Sequence, residues 1–173
     1  MNQSAQPAFT ILKVAACPSL SGRSMLTYHL GLDHEAALHF RIFANSSSGY
    51  FNVEWVPMAK ILEVLNATPL ITSFTMQAIF KGKSQNNGGF LLAALLAEKL
   101  VEIAPDNERC YRATNGEAFQ SHVALLIAEG INLDANTKPK VPRKHQTSKP
   151  ELPNESRSSE KESTAHQPEV VVP

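Results

Sequence analysis

Residues 73–113 read SFTMQAIFKGKSQNNGGFLLAALLAEKLVEIAPDNERCYRA, and this stretch decides the fold. SFTMQAIF has apolar residues at helical spacing, with Met76, Ile79 and Phe80 facing inward, Thr72 or Ser73 available as a cap and Gly82 as a stop. KGKSQNN is a polar turn in which Asn86 or Asn87 can cap the next helix. FLLAALLAEKLVEI is that second helix, running into a strand. PDNER is a tight turn, and CYRAT returns as a further strand. The order is therefore helix, turn, helix, strand, turn, strand.

Upstream, two runs alternate with the period of half-buried strands. Leu26, Tyr28 and Leu30 alternate with Thr27 and His29. Leu38, Phe40 and Ile42 alternate with His39 and Arg41. A five-residue loop, LDHEA, separates them, so Leu30 is expected opposite Leu38. A third run, Phe51, Val53 and Trp55, completes a three-stranded antiparallel meander over about residues 25–56. Its other face would carry His29, His39 and Glu54 in one row and Thr27, Arg41 and Asn52 in the next, facing solvent or a partner. Pro57 opens a helix bearing Met58, Ile61, Leu62 and Leu65. Thr114 and Glu117 resemble a capping box before a last helix, whose buried stripe is Phe119, Val123, Leu126 and Ile127. The fold class expected is α+β.

The helix–turn–helix–hairpin pattern, best seen in LLAEKLVEIAPDNERCYRA, resembles the winged helix-turn-helix superfamily over about Pro57–Thr114, in the manner of MarR-type regulators. The resemblance implies nucleic-acid binding. It would place Lys83, Ser84, Gln85, Asn86 and Asn87 at the entry of the recognition helix, with Lys81 just before it, and Arg109 and Arg112 on the wing. The chain departs from that pattern in its second helix. Phe90–Ala97 is apolar throughout, as in a helix buried on all sides, and Glu98 and Glu102 at its exposed end would repel phosphate. Gly88 and Gly89 suit close packing against a neighbouring helix. The same fold also serves as a protein–protein module, so a non-enzymatic adaptor is the alternative.

Charge does not favour DNA. Residues 1–133 hold 9 Lys+Arg against 10 Asp+Glu, and 134–173 hold 7 against 6. The basic part of the tail, Lys138, Lys140, Arg143, Lys144 and Lys149, could act as an electrostatic arm. Six of the 11 prolines lie at or beyond Pro139, and no aromatic residue follows Phe119. A tail from about 135 to 173 therefore buries too little apolar area to offset its ordering entropy and is expected to be disordered.

His29, His39 and Glu54 have the chemistry of zinc ligands, but a hydrogen-bonded polar face explains them as well. No metal, cofactor or catalytic residue is expected. SLSGRS lacks phosphate-loop spacing. Cys17 and Cys110 form no CxxC pair and read as reduced thiols. With no apolar run of membrane-spanning length and no basic leader, a cytoplasmic protein is expected. Its partner would be DNA or a protein, and a homodimer is compatible with either. Cutting the chain after Asn136 should leave the melting temperature within about 3 °C of the full chain, measured by calorimetry or circular dichroism.

Overall fold

Alternation fixes the faces of the first two expected strands, and both form. The computed structural model describes residues 9–139. In it β2 (Met25–Leu32) and β3 (Leu38–Asn45) pair antiparallel. Tyr28 and Leu30 share the inner face with Phe40 and Ile42, as their period requires. The register differs by two residues from the expected one: Leu30 faces Phe40 and Tyr28 faces Ile42. The turn is the cause. Asp33 Oδ1 accepts the backbone N–H groups of Glu35 and Ala37, each at 2.9 Å, which places the turn at 33–37 rather than 32–36.

The meander has four strands, not three. β1 (Thr10–Pro18) pairs with β2, and the sheet order is β1-β2-β3-β4. β1 does not alternate, because the register shifts between Ile11 and Lys13 and both of its faces carry buried residues. The third expected strand shrinks to β4 (Val56–Pro57), with Val56 opposite Phe40. Phe51–Trp55 is irregular. Val53 is exposed and Trp55 turns to the outer face, so the expected parity is inverted there.

Four helices and a hairpin follow: α1 (Met58–Ala67), α2 (Ser73–Gln77) continued by a single 3₁₀ turn, α3 (Asn86–Ala97), β5 (Val101–Ala104), β6 (Asn107–Ala113) and α4 (Glu117–Ala128). Ile71, between α1 and α2, exchanges two backbone hydrogen bonds with Tyr111, each 2.8 Å. Thr72 caps α2 in a reciprocal box with Thr75. The expected cap on α3 is absent: Asn86 and Asn87 lie within its first turn. Nor does Thr114 form a capping box with Glu117. Gly116 takes the cap position at φ 69°, and Thr114 Oγ1 instead donates to the Lys99 carbonyl. Of the stripe expected on α4, Phe119 and Val123 are buried and Leu126 half-buried, but Ile127 is exposed, as is Leu62 of α1.

The core lies between the sheet's inner face and α3. Leu91, Leu92, Ala94 and Leu95 of α3 are buried with Tyr28, Leu30 and Phe40, and Phe119 of α4 stacks on Phe40 at 5.8 Å. α3 is buried on all sides, as its composition requires. Glu98 is the correction: it is buried, not exposed. The tail expected at 135–173 lies outside the described residues from 140 onward.

Gly88 sets the crossing of α2 and α3. A Cβ there would meet the Ser73 carbonyl oxygen at 2.3 Å and the Gln77 nitrogen at 2.7 Å. The neighbouring Gly89 has nothing closer than 3.6 Å. Gly88→Ala should therefore destabilise by about 3 kcal/mol or more, lowering the melting temperature on the order of 10 °C. Gly89→Ala should be neutral or stabilising by up to about 1 kcal/mol through helix propensity. Thermal melts of the two variants check the contrast.

Candidate functional site

The polar turn before α3 is where sequence reasoning put the site, and its side chains are largely engaged within the chain. Ser84 Oγ and Asn86 Nδ2 both donate to the Tyr50 carbonyl, at 2.7 and 2.9 Å. Asn87 is buried. Its Oδ1 accepts the Asn52 N–H and its Nδ2 donates to Asn52 Oδ1, each at 2.9 Å. Lys83 pairs with Glu54. These four residues clamp the loop 46–55 onto the start of α3. Lys81 and Gln85 remain exposed. Gln77 adds a second brace, accepting the Gly88 N–H at 2.9 Å and donating to the Ser84 carbonyl at 3.1 Å.

Arg109 and Arg112 are exposed on β6, as expected of a hairpin edge. Arg112 is paired with Asp106 at 3.3 Å, and Glu108 adjoins Arg109, so the hairpin carries both signs of charge. Lys138 is exposed; the other residues of the basic arm lie outside the described residues.

The row His29–His39–Glu54 does not form. His29 faces Arg41, His39 faces Gly31 and Pro57, and Glu54 turns away to Lys83. His39 Nδ1 donates to the Ala37 carbonyl at 3.0 Å. Among the described residues no group of three or more His, Cys, Asp or Glu side chains is placed to hold a metal ion.

In its place the outer face of the sheet carries a cluster that alternation could not reveal. Trp55 packs against Gly31, where a Cβ would sit 2.7 Å from the indole ring. Phe9 stacks on Trp55 at 4.3 Å, and Phe43 stacks on His29 at 4.4 Å. The Arg41 guanidinium sits 4.5 Å from the Trp55 ring and 5.1 Å from that of Phe43. Its Nη2 donates to His29 Nδ1 at 2.8 Å. Since Arg has no acceptor, the neutral His29 ring must carry its proton on Nε2. That N–H and Arg41 Nε are buried without a partner among the described residues. No local sequence pattern marks this cluster, whose members are spread from Phe9 to Trp55.

A second buried polar group joins the sheet to α3. Glu98 accepts from Lys13 Nζ at 2.7 and 2.9 Å and from the Tyr28 hydroxyl. Burial and then the Glu98 charge hold the Tyr28 hydroxyl well above the usual tyrosine range. The same two causes push the Cys17 thiol up to about 12, which leaves it protonated and unreactive at neutral pH.

No family model matches the chain, and neither a curated protein nor a solved structure matches it. No helix among the described residues is long and apolar enough to cross a membrane.

Burial, and then the Arg41 charge, hold the His29 imidazole down at about 4. The unfolded chain binds that proton near pH 6.5 and the folded chain does not, so unfolding takes up a proton between these values. Stability from this group is complete above about pH 6.5 and is lost as pH falls toward 4, by on the order of 3 kcal/mol. Urea midpoints should therefore fall between pH 6.5 and 5, and His29→Gln should flatten that segment.

Proposed function

We propose that the chain is a non-enzymatic interaction module that captures a protein partner on the surface around Tyr50 and Phe74. One observation carries this reading: two large aromatic side chains stand in solvent, Phe74 at 85% exposure and Tyr50 at 75%, around one end of α3. Both have fixed backbones. Phe74 follows the Thr72 cap of α2, and the Tyr50 carbonyl is held by Ser84 and Asn86. Aromatic residues, Phe among them, are enriched at protein interfaces, Tyr is among those that carry most of the binding energy, and a pre-ordered backbone lowers the cost of binding. Val53, also exposed, extends the apolar character of this loop.

We further infer that residues 57–114 form a winged helix-turn-helix-like scaffold. The order α1, Ile71 bridge, α2, α3 and the β5–β6 hairpin supports this. On such a scaffold α3 would be the helix that reads bases. Its burial under the sheet and the internal use of Ser84, Asn86 and Asn87 favour a protein partner over a DNA groove.

A second reading, nucleic-acid binding by a small regulator or accessory factor, has one observation in its favour. Lys81 and Lys83 belong to the same α2–α3 segment as Phe74, and cations beside aromatics suit single strands. Gln85, Arg109 and Arg112 would add contacts. The Glu54 and Asp106 pairings weigh against it.

Two measurements separate these readings. Full chain used as bait in extract of the native host should retain a nuclease-resistant protein that the Tyr50→Ala, Phe74→Ala double variant loses while melting as the parent does. Fluorescence anisotropy with an oligothymidylate and with duplex DNA should show no binding at low salt. Binding that weakens with salt, with a slope falling by roughly 0.7 to 0.9 per contact removed in Lys81→Ala and Lys83→Ala, would replace the first reading by the second.

A further inference from the structure

A cleft of about 320 Å³ opens between α1 and α4, and it shares no residue with the Tyr50–Phe74 surface. Met58, Leu62 and Leu65 form one wall, and Phe119, Val123 and Ile127 the other. Among the described residues no charged side chain lines it. Its polar groups are few and neutral. Thr114 is occupied, its hydroxyl donating to the Lys99 carbonyl, and Asn115 is occupied at Oδ1, which accepts the Glu117 N–H. Asn66 and Gln120 differ. Both side-chain amides are exposed, and neither makes a hydrogen bond among the described residues.

We propose that this cleft is a binding site for a neutral small molecule with an apolar body and one hydrogen-bonding head group. The volume lies within the range of small-molecule sites, which are apolar cavities with a small number of orienting polar groups. The apolar walls take the body of the ligand. The Asn66 and Gln120 amides, each both donor and acceptor, take an amide, ester, hydroxyl or diarylamine head, all uncharged at neutral pH. A charged ligand gains no countercharge here, since no charged side chain lines the cleft. The site stands on residues other than those of the proposed protein interface, so either proposal can fail alone.

The test uses the full chain and the neutral fluorophore N-phenyl-1-naphthylamine, whose single N–H can meet Asn66 or Gln120. Emission should shift to the blue and saturate at one probe per chain. The anionic anilinonaphthalene sulfonate should bind at least about tenfold more weakly, a difference of about 1.4 kcal/mol. Ala124→Phe fills the cleft from an exposed helix position, and Leu62→Lys places a charge at its mouth; each should weaken binding about tenfold or more while melting as the parent does. Phe74→Ala should leave it unchanged. Should Ala124→Phe fail to fold, Leu62→Lys decides. Absence of saturable binding, equal binding by a folded Leu62→Lys chain, or equal binding of the anionic dye would overturn the proposal.

Discussion

Glu98 is a carboxylate in an unfavourable place, and the architecture depends on how that is offset. It is buried, and it sits at the C-terminal end of α3, where the helix dipole repels negative charge. Lys13 and Tyr28 compensate, and they come from β1 and β2. The charge that α3 could not carry alone thus ties that helix to two strands more than 65 residues away in sequence, at separations of 85 and 70. Removing one partner of such a pair costs about 3–5 kcal/mol, since the remaining charge stays buried. The pairing therefore favours one position of the sheet on α3.

The sequence made legible those parts of the fold that rest on local pattern. The alternation of Leu26–Leu30 and Leu38–Ile42 assigned their faces correctly, because a register error of two residues preserves parity. The apolar run Phe90–Ala97 indicated a fully buried helix, and Gly88 its close crossing with α2. Long-range interactions decided the rest. β1 is hidden because a strand covered on both faces and broken by a bulge has no period of two. Phe51–Trp55 alternates like a strand, yet Asn87 takes the Asn52 N–H and two side chains of the α3 turn take the Tyr50 carbonyl. With those groups satisfied from α3, the segment has less to gain by pairing with β3.

What the polar residues before α3 do was not legible in the sequence. Ser84, Asn86 and Asn87 are polar residues at the start of a helix, which suits base reading and loop clamping equally. The choice between them rests on where Tyr50 and Asn52 lie, more than thirty residues away, as the separations of 34 to 36 show. Glu98 is similar. In sequence it is a charge at a helix end, and the positions of Lys13 and Tyr28 make its burial tolerable.

The outer face of the sheet explains why exposure at Tyr50 supports an interaction reading. An antiparallel sheet packed on helices on one side usually leaves the other side polar and solvated. Here Ile11, Val14, His29 and His39 on that side are buried, and Trp55 closes on Gly31 beside the stacked Arg41 guanidinium. A slip in register would now disrupt two packed faces rather than one. The loop 46–55 leaves this doubly covered sheet at Asn45 and returns to it at Trp55, and between those points the α3 turn holds it by hydrogen bonds. The backbone of such a loop has already met much of its ordering cost, so an aromatic ring left in water there gives up mainly its own rotamer freedom on meeting a partner.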